Sequence, residues 1–190
     1  MGKEFELKYA ANGYVMAALE RDFPGLKPIT METAYYDDEC RTLGRLHWTL
    51  RRRMENGVAV CALKTPGNDG ATGEWEVREG DISQAIPQLR NLGAPEGIAA
   101  LGPLTQVCAA RFTRRALLLE LPGCTAELAL DRGVLLGGGR ELPLCEVEVE
   151  LKSGSRTALE HWCAAFAQRY GLKPEARSKF ARANALAQEG

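Results

Sequence analysis

The chain has 190 residues, 45% of them hydrophobic and 26% charged, with 24 Lys plus Arg against 25 Asp plus Glu and a formal charge of −1. That length fits one domain, residues 1–190, with a real core, and the composition excludes a disordered or fibrous chain. The near-neutral balance argues against a nucleic-acid binder. No apolar run approaches the roughly 18–20 residues that cross a bilayer. The opening Met1-Gly2-Lys3-Glu4-Phe5-Glu6-Leu7-Lys8 alternates charge with carbon where a leader would need an apolar block. We therefore expect a cytoplasmic protein with no membrane partner. The cysteines (Cys40, Cys61, Cys108, Cys124, Cys145, Cys163) show no C-x-x-C spacing and only His47 and His161 are present. That pattern excludes a zinc centre and a His-based triad and leaves the thiols free.

In chain order, Glu4–Tyr9 alternates as a strand with Glu4, Glu6 and Lys8 on one face. Residues 10–23 are helical in pattern up to Pro24-Gly25. Strands follow at Thr33–Asp37 and Leu46–Met54, and Glu55-Asn56-Gly57 predicts a hairpin into Val58–Lys64. Pro66–Gly73 reads as a loop before a strand at Glu74–Arg78. A helix is expected over Asp81–Leu92, then a surface connection from Gly93 to Gly102. Strands resume at Cys108–Leu121, Ala126–Asp131 and Leu144–Lys152, turning at Pro122-Gly123 and Gly137-Gly138-Gly139. Helical patterns close the chain at Arg156–Tyr170 and Glu175–Gln188. The total is about eight strands with helices between and after them.

The faces carry the chemistry. Glu146, Glu148 and Glu150 share one side of their strand, against Cys145, Val147, Val149 and Leu151. Glu74 and Glu76 oppose Trp75 and Val77, Glu127 and Asp131 oppose Leu128 and Leu130, and Arg51 and Arg53 flank Arg52. Residues two apart on a strand face lie roughly 6.5–7 Å from each other. Rows of like charge repel unless counter-ions lie among them, and a solvated face would mix its signs. Stripes gathered in one shared space solve this: carboxylates around a divalent metal, Arg and Lys around a polyanion. A closed barrel would also remove exposed strand edges, with a charged interior and helices over an apolar outside. Carboxylates without His or thiolate favour Mg²⁺ or Mn²⁺, and basic groups beside them point to phosphate.

Glu4-Phe5-Glu6-Leu7-Lys8 resembles the E-x-E-x-K signature of the CYTH superfamily, the triphosphate tunnel metalloenzymes. Tyr35-Tyr36-Asp37, Leu50-Arg51-Arg52-Arg53, Leu63-Lys64, Glu74-Trp75-Glu76, Arg111-Phe112-Thr113-Arg114, Asp131, Glu146-Val147-Glu148-Val149-Glu150 and Ser178-Lys179 with Arg182 are similar to the other family elements, in order. The resemblance implies an α+β fold built on an antiparallel eight-stranded β-barrel tunnel that binds a triphosphate with one or two Mg²⁺ or Mn²⁺ ions. It is nearest to the bacterial inorganic triphosphatase branch. Other members act on thiamine or nucleoside triphosphates or, as class IV adenylyl cyclases, cyclise ATP. A non-catalytic polyphosphate-binding barrel would keep the basic stripes and lose carboxylates. Some members carry a following helical CHAD domain, which a chain ending at Gly190 is expected to lack.

By position, the resemblance gives metal to Glu4, Glu6, Asp131, Glu146, Glu148 and Glu150. It gives phosphate oxygens to Lys8, Arg51, Arg53, Lys64, Arg114, Lys179 and Arg182, with Glu4, Glu6 and Lys8 catalytic. A second metal on the acidic stripe would activate the attacking water. The implied partner is a small triphosphate compound, with a homodimer left open. The chain departs from the family pattern at Asp37-Asp38-Glu39-Cys40, where Thr-Pro is usual, and at Ala62, where Thr is usual. Arg111 and Arg114 have opposite strand parity, so without a bulge only one faces inward, and the alignment favours Arg114. Trp48, Trp75 and Trp162 read as packing residues, His47 and His161 as exposed or structural, and Glu120 and Lys152 as rim charges. Gly137-Gly138-Gly139 lacks a following Lys-Ser/Thr and reads as a hairpin turn.

Overall fold

In the computed structural model, residues 2–67 and 71–188 are described. The strands are β1 (Gly2–Glu4), β2 (Glu6–Ala10), β3 (Lys27–Asp37), β4 (Thr49–Glu55), β5 (Val58–Pro66), β6 (Thr72–Val77), β7 (Thr105–Leu121), β8 (Cys124–Gly137), β9 (Arg140–Gly154) and β10 (Lys173–Pro174). The helices are α1 (Gly13–Asp22), α2 (Thr42–Arg45), α3 (Ile82–Asn91), α4 (Arg156–Tyr170) and α5 (Lys179–Gln188), with a 3₁₀ turn at Glu96–Ala100. Local chemistry sets the boundaries. Asn12 Oδ1 caps α1 by accepting from Tyr14 N and Val15 N, each at 3.0 Å, and Asp81 does the same for α3. Gly171, at φ 62°, ends α4 in the left-handed region. Asn56 (φ 47°) and Gly57 (φ 85°) make the expected tight hairpin.

The strands form one antiparallel sheet in the order β1-β6-β5-β4-β3-β7-β8-β9-β2-β10. This corrects the expected eight-stranded closed barrel: the pairing gives ten strands, with β1 at one edge and β10 at the other. The extra strands come from the short β10 and from a division of the first strand at Phe5. Glu4 and its predecessors pair with β6, whereas Glu6–Ala10 pair with β9. One residue thus ties the two ends of the sheet together, and the sheet curls around a common cavity. Other boundaries also move. β3, β7, β8 and β9 extend beyond their expected spans, and the Gly93–Gly102 connection folds back to bury Ile98. The expected loop at 66–73 shrinks because Pro66 pairs with Thr72; residues 68–70 lie outside those described.

Two apolar cores lie on the outer face of the sheet. One, with Leu19, Leu128, Val147, Val149, Leu159 and Phe166, packs α1 and α4 against β2, β8 and β9. The other, with Leu50, Leu63, Trp75 and Leu89, packs α3 against β4, β5 and β6. The third is inside. Met31, Tyr35, Phe112, Leu135 and Leu144 have the same strand parity as the charged stripes and pack against Ala183, Phe180 and Leu186 of α5. The interior is therefore charged over part of its length and apolar where α5 enters. Among the described residues, no helix is long and apolar enough to cross a membrane.

Candidate active site

The inward face of the sheet encloses a cavity of about 420 Å³ lined by residues from β1 to β9 and from the start of α5. Cross-strand register builds its acidic wall. Glu6 stands opposite Glu150, Lys8 opposite Glu148, Asp131 opposite Glu146, and Glu127 opposite Glu150. The basic wall comes from Arg51 and Arg53 on β4, Lys64 on β5 and Arg114 on β7, all lining the cavity.

The deepest carboxylates are already paired. Asp131, Glu146 and Glu148 have oxygens within 4.8 Å of one another, close enough to share one cation. Lys179 supplies it, with its ammonium 2.8 Å from Asp131, 2.6 Å from Glu148 and in contact with Glu146. Arg114 donates two hydrogen bonds of 2.8 Å to Asp131 and a third to Glu148, and Arg182 pairs with Glu146. Three basic groups thus balance three carboxylates. Burial pushes Glu148 up, but the Lys179 ammonium and the Arg114 guanidinium outweigh it and hold the carboxyl well below its usual range. The structure therefore turns Lys179, Arg182 and Arg114, expected to grip phosphate, onto carboxylates expected to hold metal.

The rest of the site is less balanced. Glu4 pairs with Lys64, and Glu74 accepts from Arg51 at 3.1 Å. Glu6 has Lys8 at 3.5 Å, yet burial first, then the nearby Glu148 carboxylate, push it up to about 7. The basic wall shows the converse. Burial, and then the neighbouring Arg51 and Arg114 guanidiniums, hold Arg53 below its ordinary value despite Glu55 and Glu76 nearby. Among the described residues, the Nε groups of Arg51, Arg53 and Arg182 are buried without a hydrogen-bond partner.

Every expected site residue lies in or directly behind this cavity. The parity ambiguity resolves to Arg114, whose side chain is 14% exposed, whereas Arg111 is 60% exposed and faces Glu141 outside. The departure at Asp37 is structural. Its buried carboxylate accepts from Asp38 N, Leu43 N and Gly44 N at 2.9–3.0 Å and seats α2. Lys152, expected as a rim charge, is exposed and lines the cavity 2.8 Å from Glu150 and 3.9 Å from Glu127. Glu55, Glu74, Glu76 and Glu127 also line the cavity without having been given a role. Strand parity was the signal for Glu74, Glu76 and Glu127, which occupy the acidic stripes. His47 and His161 are exposed, while Trp75 is buried in the α3 core and Trp162 stacks on Phe166 at 4.7 Å.

The CYTH domain family matches residues 2–183. An inorganic triphosphatase of Haemophilus influenzae is 32% identical over 126 residues, which cover 64% of this chain and 36% of that protein. The chain thus matches about a third of the length of this curated relative. Among solved structures, a proposed adenylyl cyclase from Hippeastrum, described as revealing a dominant triphosphatase activity, superposes with a TM-score of 0.66 at 18% identity, covering 97% of this chain and 96% of that one. The PH1819 protein of Pyrococcus horikoshii gives 0.63 at 22% identity, covering 94% and 97%. These two likenesses show the fold. With the family match spanning nearly the whole sequence, the chain belongs to the CYTH family.

Proposed function

We propose that the chain hydrolyses inorganic triphosphate to pyrophosphate and phosphate with a divalent cation, in a tunnel formed by the curled sheet. The observation that carries this reading is the crowding of Arg51, Arg53 and Arg114, with buried Nε donors on Arg51 and Arg53 that find no partner among the described residues. Buried donors without acceptors are costly, and a chain of phosphate oxygens supplies both acceptors and counter-charge. The similarity to an inorganic triphosphatase supports the same substrate.

The donor set fits a hard cation such as Mg²⁺ or Mn²⁺, because every nearby anionic ligand is a carboxylate oxygen. Glu4, Glu6, Glu148 and Glu150 would hold it, with Asp131 and Glu146 behind them. Glu6 is the least balanced of these, as its raised pKa signals. When bound, such an ion neutralises phosphate charge and activates water. Arg51, Arg53 and Lys64 would hold non-bridging oxygens and stabilise charge developing on the departing pyrophosphate, with Arg114 behind them on Asp131 and Glu148. Lys8, beside Glu6, would fix the position of the terminal phosphoryl group. The test is product analysis with Mg²⁺: one phosphate and one pyrophosphate per triphosphate consumed, lost in Glu4→Gln. Retention of full activity by Glu4→Gln would contradict the assignment.

A further inference from the structure

A hairpin accounts for only two of the three glycines in Gly137-Gly138-Gly139. Gly138 (φ 56°) and Gly139 (φ 73°) occupy the left-handed region that favours glycine, and Gly137 does not. Gly137 is the last residue of β8 and pairs with Arg140, a backbone position open to any residue. Its neighbour in space is α5. Alternate positions of β8 run Glu127, Ala129, Asp131, Gly133, Leu135, Gly137, so Gly137 shares the inward face with the buried Asp131 and Leu135.

A Cβ at Gly137 would overlap the Ala183 carbonyl oxygen, lie 2.9 Å from Ala187 N and approach Leu186 Cβ to 3.1 Å. Two of these are backbone atoms of a helix and cannot rotate aside. The helix itself would have to withdraw. Ala183 follows Arg182 directly and lies four residues beyond Lys179, so a displacement there reaches both basic groups within about 6 Å of helix. Neighbouring positions of α5 are also engaged. Phe180 packs on Tyr35 with ring centroids 5.3 Å apart, and Arg41 donates to Asn184 Oδ1 at 3.4 Å.

We propose that Gly137 is a positioning residue: its missing side chain sets the depth of α5 in the curled sheet, and so holds Lys179 and Arg182 on Asp131, Glu146 and Glu148. The catalytic consequence rests on the triphosphatase reading, whereas the structural consequence does not.

The test is a double-mutant cycle of Gly137→Ala with Arg182→Gln, read by denaturant stability in EDTA and by KM and kcat for inorganic triphosphate with Mg²⁺. Gly137→Ala alone should raise KM about tenfold, equivalent to about 1.4 kcal/mol, with kcat changing less. In the Arg182→Gln background the same substitution should raise KM by less than about threefold, and its loss of stability should fall by at least about half. Fully additive effects in both readouts would overturn the proposal. Gly138→Ala and Gly139→Ala carry the test if Gly137→Ala does not fold. Both strain a positive φ, but a Cβ at Gly138 lies 2.9 Å from Leu186 O while one at Gly139 meets nothing within 4 Å. Only Gly138→Ala should couple to Arg182→Gln; equal coupling of the two would overturn the proposal. A wild-type protein inert toward triphosphate would refute the function, and the stability cycle would still decide the role of Gly137.

Discussion

Glu6 and Arg53 carry opposite forms of the same imbalance. Glu6 is a half-buried carboxyl crowded by Glu148, and Arg53 a half-buried guanidinium crowded by Arg51 and Arg114. Each is at a disadvantage until a counter-ion arrives, the pattern expected where charge is kept for a ligand. The Glu6 carboxyl titrates near 7 in the folded protein against an ordinary 4.5. The stability tied to its proton is therefore full below about pH 4.5 and is lost as pH rises through about 7. In EDTA, Glu6→Gln should match the wild type at pH 5 and exceed it at pH 8 by on the order of 1–3 kcal/mol. Denaturant titrations at both values check this, and a less stable variant at pH 8 would contradict it. The same variant should lose turnover by at least about 100-fold with Mg²⁺. Arg53→Gln should raise KM for triphosphate about tenfold and shift stability by less than about 1 kcal/mol, because it removes repulsion along with charge.

At the level of elements, most strands were legible because period-2 alternation survives wherever one face is apolar. The hairpin at Asn56-Gly57 was legible from its turn chemistry. The break at Phe5 was not. Glu4, Phe5 and Glu6 alternate without interruption, and only pairing to two different neighbours divides them. The seven basic groups and six carboxylates of the site could be chosen by face and resemblance. Their partners could not, since Lys179 meets Glu148 across 31 positions of sequence. The role of Asp37 was likewise hidden, because a carboxylate beside a tyrosine strand gives no sign that it seats α2. Asp37→Ala would strand the buried N–H of Leu43 and the half-buried N–H of Gly44 and should cost about 2 kcal/mol, measured by denaturation, with KM changed less than about twofold. A large KM effect at equal stability would instead place Asp37 in the site.

Over the whole molecule, the sheet keeps its apolar outer face under α1, α3 and α4 and turns its charges inward, while α5 enters the interior to close the acidic end. Lys179 holds that arrangement together. Lys179→Met leaves the Asp131–Glu146–Glu148 group with two basic partners, Arg114 and Arg182. Breaking such a buried group should cost about 3–5 kcal/mol. Mg²⁺ should then raise the melting temperature of this variant more than that of the wild type, as a thermal scan would read. Equal shifts would contradict a role for Lys179 as the cation standing among Asp131, Glu146 and Glu148. Metal-dependent triphosphatase activity of this curled and charged sheet would be read from phosphate release from inorganic triphosphate, ATP and thiamine triphosphate, each with Mg²⁺, with Mn²⁺ and with EDTA. The expected result is rapid release from inorganic triphosphate with either metal, slower release from the two organic substrates, and none in EDTA. Release that persists in EDTA, conversion of ATP to cyclic AMP as the dominant reaction, or no turnover of any of the three with metal would contradict it.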